Sequence, residues 1–388
     1  MKNVRKINLI YLFAFFGDAL FTPFIALYLI SKGFSDFQRG FLLAIIPFLT
    51  ILGNAIYGKF SSKLSKNFLI VRILSIINAV VIILYGLVSN YYLLIALTIL
   101  FGLHNSSYFS LQDGVGVSLC EREKKIYSRT RMFGSIGYCI ALFSGSFLVL
   151  NIDYTSLFII AGSFFFLVNI ILIFIKIPRV EEKEETKQEK VTYKELFRNK
   201  KYLKYCLFYL LVNGMWVIGE SYLSTYFNSL GVSDSQFSLM YGIQVGVEII
   251  TIFIISKIKN LNNHLKTILL ISSCVIFTRY IFMGFKIDKS IIYIISALLR
   301  GIGWGGFLSS HLLLVKKIVG INLTTKSITF LAIISNALGS IGNLVSPYIY
   351  TSLSIQWLYL IFGMVQIVGT IMLFFINIER KDGKEKYE

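Results

Sequence analysis

The chain has 388 residues, 38 Lys and Arg against 20 Asp and Glu, a net charge of +18 and a mean hydropathy of +0.72. In a soluble protein that surplus would suggest nucleic acid, but 56% of the residues are hydrophobic and only 15% charged. The bases gather in short stretches between long apolar runs, which sets nucleic acid aside and makes the lipid bilayer the expected surroundings.

A helix needs about 20 apolar residues to cross the hydrocarbon. Windows of that length predict twelve spans, at 7–30, 39–57, 68–88, 92–118, 127–150, 156–176, 203–229, 236–256, 267–285, 290–315, 327–350 and 356–377. The start, Met1-Lys-Asn-Val-Arg-Lys6, resembles that of a signal peptide. However, the apolar run from Ile7 to Ile30 is too long and has no Ala-x-Ala site, so it reads as a retained span.

Segments on the N-terminal side of the spans carry thirty Lys and Arg, and those on the other side only Lys32, Arg39, Lys286 and Lys289. The positive-inside rule then puts both termini in the cytoplasm of a cell inner or plasma membrane. The stretch 177–202 mixes Glu181, Glu182, Glu184, Glu185 and Glu189 with Lys183, Lys187 and Lys190, and reads as a linker holding one amphipathic helix. The expected organisation is an all-α membrane protein with twelve transmembrane helices in two six-helix bundles, 1–176 and 203–388, joined by a cytoplasmic linker at 177–202. That is the outline of a secondary transporter with its site near the midplane between the halves.

Cys120, Cys139, Cys206 and Cys274 show no CxxC spacing and read as core residues. With charges in the loops and near the span ends set aside, seven remain in the spans: Asp18, Asp113, Glu220, Glu248, Arg131, Arg279 and Arg300. Each costs roughly 2.5–3.5 kcal/mol at membrane depth on insertion scales, so each reads as functional, with ties between helices as the plainer alternative.

Asp113 and Arg131 lie nine residues either side of Arg122, so a hairpin turning there brings them to one depth. The same arithmetic pairs Glu248 with Arg279 about the turn Lys257–Lys266. Arg300 falls near the midplane, which suggests a Glu–Arg–Arg cluster able to bind and release a proton. Glu220 lies nearer the outer end of its span and reads as a contact with water.

Arg131, Ser135 and Tyr138 share one helical face, where a forked donor sits beside an aromatic ring, and Gly134 and Gly137 allow a close neighbour. Asp18, five residues before Pro23, is either a proton carrier or a polar group bonded to another helix. His104 and His311 read as hydrogen-bonded interior residues. Trp216 and Trp304 are candidate cavity rings, with packing as the alternative.

The segment Arg129-Thr-Arg131-Met-Phe-Gly-Ser-Ile-Gly-Tyr138 resembles the helix-five signature of the lactose permease-like branch of the major facilitator superfamily, the oligosaccharide:proton symporters. The resemblance implies the major facilitator fold, with Asp113, Arg131 and Tyr138 binding substrate. Gly246-Val247-Glu248 and Ile276-Phe-Thr-Arg279 look like the branch's coupling carboxylate and its deprotonating partner. Glu195-Leu-Phe-Arg198 and Thr22-Pro23 extend the likeness along the chain.

Three departures stand out. Arg300-Gly301 lies where the sugar symporters have a His, and Asp18 is not typical of the lactose-type members. The loop Gly58-Lys-Phe-Ser-Ser-Lys-Leu-Ser-Lys66 lacks the superfamily's Asp and second Gly.

The expected function is proton-coupled symport of a small polar solute, a sugar or glycoside first. Alternatives are a nucleoside or aromatic acid, or proton-driven export, and more remotely a membrane sensor. No Ser/His/Asp grouping, metal constellation or phosphate-binding loop supports an enzyme, so no cofactor or metal is expected beside the proton, and a monomer is.

Overall fold

Pro23 decides how the first crossing is built. Proline lacks the N–H that would reach the carbonyl four residues back, and its ring crowds that carbonyl. Helix α1 (Asn3–Ala19) therefore stops, a 3-10 turn covers Thr22–Phe24, and α2 (Ile25–Ser31) completes the span. The computed structural model describes residues 3–60, 64–175, 193–285 and 287–376.

The first half continues with α3 (Asp36–Phe60), α4 (Leu64–Leu87), α5 (Tyr91–Arg122), α6 (Tyr127–Asn151) and α7 (Tyr154–Ile173). The second comprises α8 (Tyr193–Arg198), α9 (Lys200–Ser221), α10 (Leu223–Ser229), α11 (Asp234–Ser256), α12 (Leu261–Gly284), α13 (Lys289–Val319), α14 (Ile321–Ser352) and α15 (Ile355–Phe374). Twelve helical segments among the described residues are long and apolar enough to cross a membrane, matching the twelve expected.

Several boundaries differ, by up to six residues: the ninth span starts at Leu261 rather than 267 and the eleventh at Ile321 rather than 327. The fourth span runs to Arg122 rather than 118, and the seventh breaks at Tyr222 instead of running through. Most of the 177–202 linker and residues 61–63 of the 58–66 loop lie outside the described residues. The described end of the linker holds the short helix α8, and α9 begins at Lys200, inside its expected range.

The two halves open alike. In each, the first long helix, α1 or α9, is followed by a break and a seven-residue helix, α2 or α10. A glycine at positive φ follows (Gly33 at 74°, Gly231 at 73°), a conformation that disfavours side chains. Next comes a reciprocal cap. Ser35 and Gln38 exchange backbone and side-chain bonds at 2.9 and 3.3 Å, and Ser233 and Gln236 do the same at 3.1 and 3.3 Å. The repeat Gly-x-Ser-Asp-x-Gln was legible at both places and was not part of the sequence reading.

In the first bundle α1 packs on α6 and α7, α4 on α5 and α7, and α3 on α5. In the second, α13 packs on both α11 and α12, while α9 and α12 pack on α15 and α9 on α14. Two extensive contacts cross between the bundles, α3 with α14 and α6 with α11, and a smaller one joins α2 to α10. Outward faces carry residues such as Ile250, Phe253 and Ile254, as a lipid-facing surface requires. Cys274 is exposed there, contrary to its reading as core, whereas Cys120 and Cys206 are buried.

Candidate functional site

A cavity of about 560 Å³ lies between the bundles, within the range of small-molecule sites. The break in the first span contributes Thr22 and Pro23, α3 contributes Pro47 and Thr50, and α6 contributes Tyr138. The facing wall comes from α9 and α13, where helical spacing puts Tyr209, Asn213, Trp216 and Glu220 beside Trp304, Phe307 and His311. Trp216 and Trp304 stack at 4.2 Å with planes 3° apart, and Phe307 continues nearly parallel to Trp304 at 5.2 Å. His311, read from the sequence as an interior residue, bonds Tyr205 at 2.9 Å and also faces the cavity, while His104 bonds Tyr57 at 2.8 Å.

Four charges adjoin this wall. The Arg279 side chain is 0% exposed. It donates from Nη1 to Glu220 Oε1 at 2.7 Å and from Nε to Ser296 Oγ at 3.0 Å. Arg300 Nη1 donates to Glu248 Oε2 at 2.5 Å, and its Nε lies 3.5 Å from Glu220 Oε2. That last approach is an ion pair without hydrogen-bond geometry, since Arg300 Nε has no hydrogen-bond partner. Both guanidinium groups lie over the Trp216 ring, Arg300 also lies over Tyr241, and the Tyr241 hydroxyl donates to Glu220 at 3.4 Å.

Two expectations are corrected here. Glu248 pairs with Arg300, not Arg279, because α13 lies between α11 and α12 and presents Arg300 first. Glu220 is not a water contact but the link between the two arginines. With two acids and two bases, the cluster is neutral when every member is charged.

Asp113 and Arg131 do come together, though loosely. Arg131 Nε is 3.9 Å from Asp113 Oδ1, with side chains 39% and 44% exposed. The closer partner of Asp113 is the Tyr11 hydroxyl of α1, at 2.6 Å, which also bonds Tyr127 at 3.1 Å. The Arg131 guanidinium lies 4.3 Å from the centre of the Phe15 ring. Ser135 is half-buried one turn on. Of the four residues expected to bind substrate, Tyr138 lines the large cavity and Asp113, Arg131 and Ser135 do not. Asp18 accepts from Thr22 at 3.0 Å and from Asn105 at 3.1 Å, a partner no spacing argument could supply.

The bundles are sealed on the face away from the start of α1. Ser340 donates to the Ala44 carbonyl at 2.8 Å, Asn343 to the Leu43 carbonyl at 3.0 Å, and Ser238 to the Leu142 carbonyl at 2.7 Å. Tyr154 bonds Asp234 across the same face. Toward the opposite face, a second cavity of about 400 Å³ between α3, α5 and α14 shares Asn336 with the first.

The MFS_1 like family profile matches residues 4–361. The chain is 24% identical over 367 residues to the uncharacterized transporter YwbF of Bacillus subtilis (strain 168), covering 92% of this chain and 90% of that protein. It is 19% identical over 382 residues to the maltose permease of Geobacillus stearothermophilus, covering 97% and 96%. Its fold matches the crystal structure of the nucleoside transporter NupG with a TM-score of 0.81 at 15% identity, over 97% of this chain and 99% of that one. It also matches an inward-facing, unoccupied bacterial homolog of the human lysosomal transporter Spinster, at 0.70 and 13% over 96% of both chains. With a family match over nearly its whole length, twelve spans and this fold, the chain belongs to the MFS_1-like family and is a multi-pass secondary transporter of the major facilitator superfamily.

Proposed function

We propose that the chain is a proton-coupled symporter of a small polar solute with a flat ring face, a sugar or glycoside. It would work by alternating access between bundles 1–176 and 203–388, joined by the 177–202 linker, with both termini in the cytoplasm of the cell membrane. The observation that carries this reading is the aromatic wall of the cavity directly against a neutral four-charge cluster. Tyr138 offers an apolar face to a sugar ring beside the stacked Trp216 and Trp304, and Asn213, Asn336 and Glu220 offer hydrogen bonds to hydroxyls. Arg131, steadied by Asp113 and followed by Ser135, takes the hydroxyl contacts nearer the other face.

Glu248 is the proton carrier in this reading. Protonation ends its ion pair with Arg300 and leaves that arginine to Glu220, so the cluster carries one net positive charge until the proton leaves. Arg279 is the anchor that keeps Glu220 in place. Asp18 remains the rival carrier. A nucleoside is the second reading, favoured by the aromatic lining of the cavity and by the fold shared with the nucleoside transporter NupG.

The test is uptake of labelled sugars, nucleosides and aromatic acids by reconstituted vesicles, with and without a pH gradient. One coupled proton gives about tenfold accumulation per pH unit, since a unit is worth about 1.4 kcal/mol. Glu248→Gln should lose uphill uptake and keep exchange. If Glu248→Gln still concentrates substrate while Asp18→Asn does not, the carrier is Asp18.

A further inference from the structure

The charge cluster closes one end of the aromatic wall, where both its arginines lie over Trp216. Tyr205 and His311 close the other end with a polar pair that the cluster leaves unused. Arg300, Trp304, Phe307 and His311 stand at i, i+4, i+7 and i+11 of α13, hence on one helical face. Eleven residues put His311 about 16 Å from Arg300 along the helix axis. The rings of Trp304, Phe307 and His311 follow one another at 5.2 and 5.5 Å, with successive planes 6° and 21° apart.

The hydrogen on the His311 ring is assigned by its surroundings. Tyr205 is 0% exposed, and its hydroxyl has one hydrogen-bond partner among the described residues, His311 Nδ1 at 2.9 Å. If Nδ1 carried a hydrogen it would donate to the phenol oxygen, and the phenol hydrogen would be left buried without an acceptor. The Tyr205 hydroxyl therefore donates and Nδ1 accepts. That excludes the imidazolium, in which both nitrogens donate, and leaves a neutral ring with its hydrogen on Nε2.

Nε2 has no hydrogen-bond partner among the described residues. Unlike the amide atoms of Gln112 and Gln244, which are orphaned inside the protein, it is not sealed off, and His311 lines the large cavity. A donor open to a cavity, with its tautomer fixed from behind by a buried partner, is prepared for an acceptor.

We propose that His311, held by Tyr205 as the Nε2–H tautomer, is a specificity-determining donor to an oxygen of the bound solute, at the end of the cavity remote from the charge cluster. The solutes it selects carry a hydroxyl, ring or carbonyl oxygen there. An analogue lacking that oxygen leaves the donor unpaired and is rejected. The donor role rests on the reading of the cavity as the solute site, whereas the tautomer does not.

Two measurements test it. In protein carrying nitrogen-15 imidazoles, a ring nitrogen with a hydrogen resonates far from one without, and the signals missing from His311→Phe belong to His311. Wild type should show a protonated Nε2 and a bare Nδ1, and Tyr205→Phe a mixture of tautomers. A protonated Nδ1 in wild type, or a tautomer unmoved in Tyr205→Phe, overturns the proposal.

The second measurement is equilibrium binding of maltose, uridine and benzoate, one for each solute class, to the purified full-length protein. His311→Phe keeps a ring in the wall and should weaken binding of the probe that wild type holds by about three- to tenfold, the value of one neutral hydrogen bond. His311→Gln, whose amide can donate from the same place, should recover most of that loss. Because His311→Phe strands the buried Tyr205 hydroxyl, Tyr205→Phe is combined with it. The double variant removes both partners and should return to the wild-type thermal midpoint while binding stays weak. Wild-type affinity in the double variant overturns the donor role alone and leaves the pair to packing. If wild type binds none of the three probes, the solute reading of the cavity fails and the donor role falls with it.

Discussion

Replacing Glu220 by Gln strips Arg279 of its counter-charge where water cannot substitute, because the arginine is 0% exposed and its remaining partners, Ser296 and the Trp216 ring, carry no charge. At 2.7 Å and an effective dielectric of about 20, the pair's gross attraction is about 6 kcal/mol. Much of that is offset by desolvation, and removing one partner of a buried pair costs about 3–5 kcal/mol net. Glu220→Gln and Arg279→Met should each cost that much in unfolding free energy, measured by reversible denaturant titration in lipid–detergent micelles.

The double variant removes both charges and leaves Glu248 and Arg300 as a neutral pair. It should therefore cost at least about 2 kcal/mol less than the sum of the single changes, the signature of direct coupling. A coupling below about 0.5 kcal/mol would refute the pairing. The companion cycle of Glu248 with Arg279 should give a clearly smaller coupling, because Arg300 of α13 stands between them.

Asp113→Asn or Arg131→Ala should abolish substrate binding in equilibrium measurements while the protein still inserts, and normal affinity in either variant would remove both from the site. Tyr138→Phe should keep most of the affinity and Tyr138→Ala lose about 1–3 kcal/mol of it, the value of a ring leaving a packed contact; equal affinities would leave the ring a packing role. A Cβ at Gly40 would meet the Pro347 side chain, the Asn343 carbonyl at 2.9 Å and the Tyr222 hydroxyl at 3.0 Å. Gly40→Val should therefore hold the sealed face ajar, read as faster thiol labelling of a cysteine placed at Ser340; unchanged labelling would show that the face yields elsewhere.

The spans were legible because hydropathy responds to one variable, depth in the bilayer, and all twelve announce themselves that way. Depth also brought Asp113 and Arg131 to one level. What it lacks is rotation about each helix and the order in which helices pack. Glu248 and Arg279 share a depth, yet α11 and α12 are separated by α13, so the nearer arginine takes the glutamate. In the same way α1, packed on α6, gives Asp113 a tighter partner in Tyr11 than its hairpin mate Arg131. Pro23 was visible, but whether a proline kinks a helix or stops it depends on what satisfies the freed carbonyl. The partner of Asp18 on α5 lies 87 residues away, beyond any periodicity.

Apart from Tyr154 with Asp234, the bonds that seal the bundles at one face run from serine or asparagine side chains to main-chain carbonyls of Leu43, Ala44 and Leu142. A carbonyl is present whatever residue occupies the position, so half of each latch is indifferent to substitution. Each such bond is worth about 0.5–1.5 kcal/mol net, so the three together hold a few kcal/mol. That is the scale on which differential ligand binding redistributes two conformations. A closure of this strength and chemistry can keep its geometry while the acceptor side chains change freely.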